Sequence, residues 1–413
     1  MLKKQISTTE NGENAKNIIV FTLLITSAFP WYLMTCRLLN KITIELSLGY
    51  YETLGIWALN FISVSSSAII GAIFTSKISD LKRFFILWTF AGIFSSFSLF
   101  LINTGTPLSV FIIAFLWGFS FGLGIPACMA YYADNTLIEK RGRVGGIIFL
   151  FFNMSFFLLT LTVAGGTIVQ ILALSGWRTL GLIACPMNGK RELPAEEKIP
   201  SYCFIIKTRT FFMYFISWIM FSLVNYLSMP ILNNFFGENF ARWSALIEGA
   251  LAGIFALISG FLCDTMGRKR IIIAGFIMLG IGYAALGLFP QIIFTWYFYT
   301  VVDAVALGIF GATFFTALWG DLSYNMPSDK YYALGMLPPL LSGLLQTLVS
   351  QELAESVPIY GIFSLASFFL FLAVIPLMYA PETLPEKLIR RRELRKYVEE
   401  AKKIREKYAK EES

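Results

Sequence analysis

Gly260-Phe-Leu-Cys-Asp264-Thr-Met-Gly267-Arg268-Lys269-Arg270 sets two glycines, an aspartate and three consecutive cations between two apolar runs, 243–263 and 271–289. An apolar run of about 20 residues is what a helix needs to cross about 30 Å of hydrocarbon, and charges between two such runs read as the turn joining consecutive spans. A degenerate copy, Gly71-Ala-Ile-Phe-Thr-Ser-Lys77-Ile-Ser-Asp80-Leu-Lys82-Arg83, also leaves one apolar run and enters another, but lacks the inner glycine. Two copies predict two related halves.

The composition around these turns is that of a membrane protein. Of 413 residues 56% are hydrophobic and only 14% charged, against about 25% charged in soluble domains. Apolar runs between charges predict twelve spans: 17–36, 52–75, 84–102, 108–132, 144–167, 172–187, 209–232, 243–263, 271–289, 293–319, 332–350 and 357–380. They lack the short alternating pattern of a membrane barrel, so helices are the spanning elements. The first run ends in Pro30-Trp31-Tyr32 and Cys36-Arg37 without a small-residue cleavage site, and is read as a retained helix.

Charge placement orients the chain. With the N-terminus in the cytoplasm, 29 of the 33 Lys and Arg residues fall on the inner side, leaving Arg37, Lys41, Arg178 and Arg242 outside. The positive-inside rule then places both termini in the cytoplasm of a multi-pass protein of the plasma membrane. Eleven of the cations lie between Lys387 and Lys410, so the net charge of +7 is explained by topology rather than by nucleic acid. In that tail Leu394, Tyr397, Val398, Ala401, Ile404 and Tyr408 recur at helical spacing, the pattern of an amphipathic helix on an anionic leaflet or of a solvated helix.

The organisation follows: an N-terminal half over 1–187, a cytoplasmic linker over 188–207, a C-terminal half over 208–382 and a charged tail over 383–413. The sixth span can be read in two ways. Either it is short, with Arg178 counted on the outer side, or the preceding turn is Gly165-Gly166 and Arg178 lies deep in the membrane; the cost of a buried arginine favours the first.

The turns carry a resemblance. Gly260-x-x-x-Asp264-x-x-Gly267-Arg268-Lys269-Arg270 resembles the loop signature of the major facilitator superfamily, found between helices 2 and 3 and again between helices 8 and 9. Gly122-x-Gly124 with Tyr131-x-x-Asp134 and Arg141-Gly142-Arg143, Trp319-Gly-Asp321 with Lys330, and Pro381-Glu382-Thr383 are similar to the helix-end signatures of its sugar-porter and organic-solute branches, the metabolite:proton symporters among them. Pro194-Ala-Glu196 is a faint counterpart of the last. The resemblance implies an all-α fold of twelve transmembrane helices in two pseudo-symmetric six-helix halves. It also implies a cytoplasmic gate drawn from Gly71, Asp80, Arg83, Asp134, Arg141, Gly260, Asp264, Gly267, Arg268, Arg270 and Asp321, whose ion pairs brace one state and break as the halves rock. The proline-bearing helix 5 signature of drug exporters, the helix 1 acid of proton-coupled sugar porters and the helix 7 glutamine pair are missing.

Within the spans the clear mid-depth acid is Asp303, among Trp296, Tyr299 and Thr300. A bare charge in hydrocarbon costs about 2.5–3.5 kcal/mol, which suits such a carboxyl to carrying a proton, a structural hydrogen bond being the alternative. Glu248 and Glu52 are read nearer the outer surface, as sites or as caps. Asn153, Asn225, Gln346 and Asn60 can bond a polar solute or serve packing, and Pro338-Pro339 predicts a kink in the eleventh span.

The expected function is a secondary transporter moving a small polar organic solute, a sugar or organic acid, by alternating access. Proton-coupled symport through Asp303 is favoured; uncoupled facilitation, export and a non-transporting sensor stay open. Its partners are the solute, protons or another ion, and the lipid bilayer, and it is expected to act as a monomer. No histidine, no clustered metal ligands, no phosphate-binding Gly-x-x-x-x-Gly-Lys-Ser/Thr stretch and no carboxylate cluster in the polar segments point away from a metal, a cofactor, an ATP-driven pump or an enzyme.

Overall fold

The computed structural model describes residues 2–163, 165–184, 199–225, 228–323, 326–341, 344–345 and 358–384. Every regular element described is helical: α1 (Leu2–Glu45), α2 (Tyr50–Thr75), α3 (Leu81–Phe97), α4 (Pro107–Asp134), α5 (Arg141–Thr160), α6 (Thr167–Ala184), α7 (Tyr202–Lys207), α8 (Arg209–Val224), α9 (Ser228–Met266), α10 (Arg268–Leu288), α11 (Ile293–Ala312), α12 (Leu318–Leu322), α13 (Asp329–Gly335), α14 (Leu337–Leu340) and α15 (Ile359–Tyr379). Among the described residues ten helices are long and apolar enough to cross a membrane, and one more apolar helix, Arg209–Val224, is shorter. This is a multi-pass membrane protein. Backbone that is saturated with its own hydrogen bonds is what hydrocarbon demands.

Helices α1–α6 pack mainly on one another, as do α8–α11 with α15; the two groups meet where α5 lies along α9 and where α13 lies against α2 and α4. The α5/α9 seam is built from small residues. A Cβ on Gly260 would sit 2.3 Å from the Gly142 carbonyl oxygen, and one on Gly146 2.3 Å from that of Ala256. Only glycine lets the two backbones touch, and this contact holds the groups together without interlocking side chains.

Three departures from the expected spans have physical causes. The sixth span is α6, beginning at Thr167 directly after Gly165-Gly166, and Arg178 is fully buried inside it rather than outside. The side chain crosses the missing Cβ of Gly92 and lays its guanidinium over Trp88, 4.1 Å from the ring centroid, and within 5.6 Å of that of Trp31. Indole faces supply part of what water would. The seventh span is interrupted after Val224, and α9 is two helices meeting at Gly237, whose φ of 81° leaves the helical region.

Pro338 and Pro339 divide the eleventh span into α13 and α14. Pro339 has no N–H for the carbonyl of Gly335, and the indole of Trp218 on α8 donates to that carbonyl instead at 3.0 Å. The tenth span runs α11, a π-helical turn at Thr313–Ala317, then α12. The end of the eleventh span from Gln346 on and the charged tail beyond Leu384 lie outside the described residues.

Candidate functional site

The opening stretch is the end of α9, the turn and the start of α10. Gly267, at φ 100°, makes the turn, and a side chain there would collide with Glu382. Asp264, with no exposed surface, reaches across the seam: its Oδ1 accepts from the Gly142 N–H and its Oδ2 from the Arg143 N–H, both at 2.9 Å. Those are free donors at the first turn of α5, so a carboxylate there satisfies two N–H groups and the positive end of the helix dipole together. Arg268 pairs with Asp264 (3.3 Å) and, through Nε, with Asp321 of α12 (2.7 Å), and donates to the Ile138 carbonyl of the other group at 2.6 Å. Arg141 closes the ring, bonding Asp321 at 2.9 Å and the Ala133 carbonyl at 2.6 Å. Two carboxylates and two guanidiniums are thus buried against each other across the seam.

Glu382, from Pro381-Glu382-Thr383, caps α10 as Asp264 caps α5, accepting from the Arg268 N–H at 2.8 Å and the Lys269 N–H at 3.1 Å. Arg270 is exposed and outside the ring.

The first copy is used differently. Gly71 gives close approach within its own group, to the Leu123 carbonyl of α4. Asp80 caps α3, accepting from the Arg83 N–H at 3.3 Å and pairing with the Arg83 side chain at 3.1 Å, both partners being largely exposed. The expected crossing through Asp80 and Arg83 is therefore corrected: neither reaches the other group in these contacts. The crossing is made by Thr75, whose hydroxyl donates to Asp329 at the start of α13 (2.9 Å), and by Ser328, which donates to Asp134 (3.2 Å). Beside them Lys330 donates to the Pro200 carbonyl at 2.9 Å. Burial and the Lys77 ammonium lower it from the ordinary lysine range, with Asp329 opposing.

At mid-span, α9 and α11 run side by side in the same direction. Ser244 and Thr300 share a hydrogen bond of 2.8 Å, and Ser259 donates to the Gly308 carbonyl at 3.1 Å. One turn from the first contact this packing sets Glu248 beside Asp303, and the two carboxyls interact electrostatically. Asp303 is 4% exposed. Its Oδ2 accepts from the Tyr299 hydroxyl at 2.9 Å, while Oδ1 is buried with no hydrogen-bond partner. Tyr299 Oη lies 3.2 Å from Tyr283 Oη, which donates to the Val224 carbonyl at 3.2 Å, so hydroxyls run from Asp303 to the break in the seventh span. Glu248, read as a site or a cap, is a partly buried neighbour of Asp303. Trp296 is held by the Pro290 carbonyl at 2.7 Å and takes a packing position.

Across the seam Asn153 donates to the Phe149 carbonyl at 2.8 Å, its Oδ1 facing Gly249 of α9. Between the acid pair and the charged ring the seam is apolar. Phe149, Ala252, Ala256 and Ala304 form a small core, and a cavity of about 20 Å³ is bounded by residues such as Phe29, Ile148, Phe152 and Phe315.

No protein-family profile and no curated protein matches the sequence. Solved structures do. A proton:xylose symporter, XylE bound to 6-bromo-6-deoxy-D-glucose, described as a major facilitator superfamily protein, is 14% identical, with a TM-score of 0.69 over 90% of this chain and 97% of its own. The human organic anion transporter MFSD10 (TETRAN) is 14% identical, with a TM-score of 0.62 over 87% and 98%. A bacterial homologue of the iron transporter ferroportin in the outward-facing state is 10% identical, with a TM-score of 0.66 over 88% and 98%. The chain has the major facilitator fold.

Within the major facilitator fold, the charged ring joins two helix groups at their basic end while the acid pair sits midway. Sequence reasoning overlooked Thr75, Ser328 and Asp329, although Ser328-Asp329 before an apolar run is a helix-start signal. Asn225 caps α8 beside the break, its N–H bonded to the Phe221 carbonyl at 3.0 Å. Asn60 serves packing, donating to the Ala114 carbonyl (2.9 Å) and accepting from Tyr32 (2.7 Å). Glu52 accepts from the Gly49 N–H at 3.0 Å, as a cap.

Proposed function

We propose that this protein is a secondary transporter that moves a small organic solute by alternating access between two six-helix halves, 1–187 and 208–382, with both termini cytoplasmic and protons bound at Asp303. The observation that carries the reading is an asymmetry along the seam. At the basic end Arg141, Asp264, Arg268 and Asp321 are buried in ion pairs between the groups, whereas toward the other end Phe29, Asn153, Phe156 and Glu248 are partly exposed. Ion pairs that join two helix groups at one end only are a feature that alternating access can use as a latch, and the major facilitator likeness supports solute transport as its use.

Proton linkage is supported by the mid-span position of Asp303 and by the chain of hydroxyls running from it. Buried carboxyls between membrane helices mark ion and proton paths. In proteoliposomes, uptake driven by an imposed pH gradient and lost in Asp303→Asn is the expected result. Gradient-insensitive transport, unaltered by that substitution, refutes the coupling and leaves facilitation.

A further inference from the structure

We propose that Glu248, Asp303 and Asn153 form a binding site for an organic cation, a substituted ammonium with an apolar or aromatic body, and that this cation and the proton compete for the site. The inference rests on the transport reading for its purpose but not for its chemistry. Glu248 and Asp303 supply two carboxyls from adjacent helices held in register by the Ser244–Thr300 bond. One acceptor, Asp303 Oδ1, is buried without a hydrogen-bond partner, and buried acceptors are rarely left so without a ligand to fill them. Asn153, with its N–H₂ committed to the Phe149 carbonyl, offers only its oxygen toward α9. Every group offered is an acceptor.

The other neighbours are neutral: Tyr299 and Tyr283 from α11 and α10, and Ser244 and Thr300, which bond each other. Of the nearer cations on these helices, Arg242 is exposed a turn and a half from Glu248. Arg37 lies over Phe156 and bonds Thr160, toward the mouth of the seam. An organic anion needs a cation, which the groups named here do not offer. Next to these groups, Phe149 accepts from Asn153 and packs with Ala304, the neighbour of Asp303 in the chain, and Phe152 and Phe315 lie against that small core. Phenyl faces next to carboxylates suit a cation with an apolar body.

Two neighbouring carboxyls hold one positive charge far better than none or two. An arriving cation therefore expels a proton to solvent, and a proton expels the cation. A site filled by either, but not both, links their movements in opposite directions across the membrane, so exchange rather than symport follows.

The test uses the purified full chain in detergent with three probes sharing one ring: benzyltrimethylammonium, benzyl alcohol and benzoate. Expected is thermal stabilisation by benzyltrimethylammonium alone, weakening as pH falls, with about one proton released per cation bound, read by a dye in weak buffer. Glu248→Gln and Asp303→Asn should each weaken binding by about 30-fold or more, the usual result of removing one partner of a buried charge pair. Stabilisation by benzyl alcohol or benzoate equal to that by the cation overturns the assignment, and so does cation binding without proton release. Both readouts are made on the unaltered protein, so a variant that fails to fold does not shield the proposal. Cation binding with proton release but no flux in proteoliposomes refutes the transport reading and leaves the site. Flux of neutral solutes without cation binding refutes the site and leaves transport.

Discussion

Replacing Asp264 with asparagine tests whether the turn from Gly260 to Arg270 holds the basic end of the seam shut. The side chain keeps its size and one acceptor oxygen, but loses its charge and sets an amide N–H₂ against one of the two α5 donors that Asp264 now satisfies at 2.9 Å. A hydrogen bond to a charged group contributes about 1.5–3 kcal/mol net, and a carboxylate at a partly buried helix N-terminus up to about 2 kcal/mol. The two overlap because the same oxygens supply both. Arg268 keeps Asp321 as a partner at 2.7 Å, so no cation is stranded. The closed state should lose about 2–3 kcal/mol relative to the open one, roughly 30- to 150-fold in the equilibrium constant.

Leu137 and Met266 flank this seam from the two sides and are 62% and 49% exposed, so labels there disturb little. With nitroxides on Leu137→Cys and Met266→Cys in a background free of other cysteines, pulsed electron–electron double resonance should show one short distance in the parent. Asp264→Asn should add a longer, substantially populated one. The reasoning fails if the distribution is unchanged while the variant remains folded.

Asp80→Asn should leave that distribution and the transport rate nearly unaltered, since Asp80 caps its own helix at the surface; an effect equal to that of Asp264→Asn counts against the assignment. Thr75→Val removes a hydroxyl donor from the Asp329 carboxylate and should shift the equilibrium by about 1.5–3 kcal/mol, measured with labels placed between α2 and α13. Gly92→Ala puts a methyl on the buried Arg178 side chain, where its Cβ would lie 2.1 Å from Nε, and should lower stability by about 1–3 kcal/mol in thermal unfolding; no change means that Arg178 is free to move aside. Trp218→Phe strands the Gly335 carbonyl at a cost of about 1–3 kcal/mol, and much less in a Pro339→Ala background, where the restored N–H can serve that carbonyl.

Most of the fold was legible because hydrocarbon reduces the choices to one: a long apolar run between charges is a helix, and its ends are found by counting. What failed was anything settled by one helix on another. Arg178 was assigned to the surface from the cost of a lone charge at mid-depth, a cost that applies to lipid. Here it lies across the glycine at position 92 between two indoles, and nothing in the residues around Arg178 reports on Trp31 or Trp88. Glu248 was left between site and cap for the same reason. Its partner is 55 residues away on α11, and only the register fixed by Ser244 and Thr300 sets the two acids side by side.

The decay of the first turn has a structural reading that the two halves supply together. In the second half the carboxylate stands on the turn, Asp264, and the helix it meets offers bare N–H groups at Gly142 and Arg143. In the other crossing the carboxylate stands on the helix start, Asp329 of α13, and the end of α2 offers the donor that Thr75 provides. The same pair of elements meets in both, with the acid moved to the opposite partner. Asp80 is left to cap α3. A faded signature therefore does not mean a lost contact: the α2/α13 crossing persists through Thr75 and Ser328, so Thr75→Val should loosen it where Asp80→Asn does not.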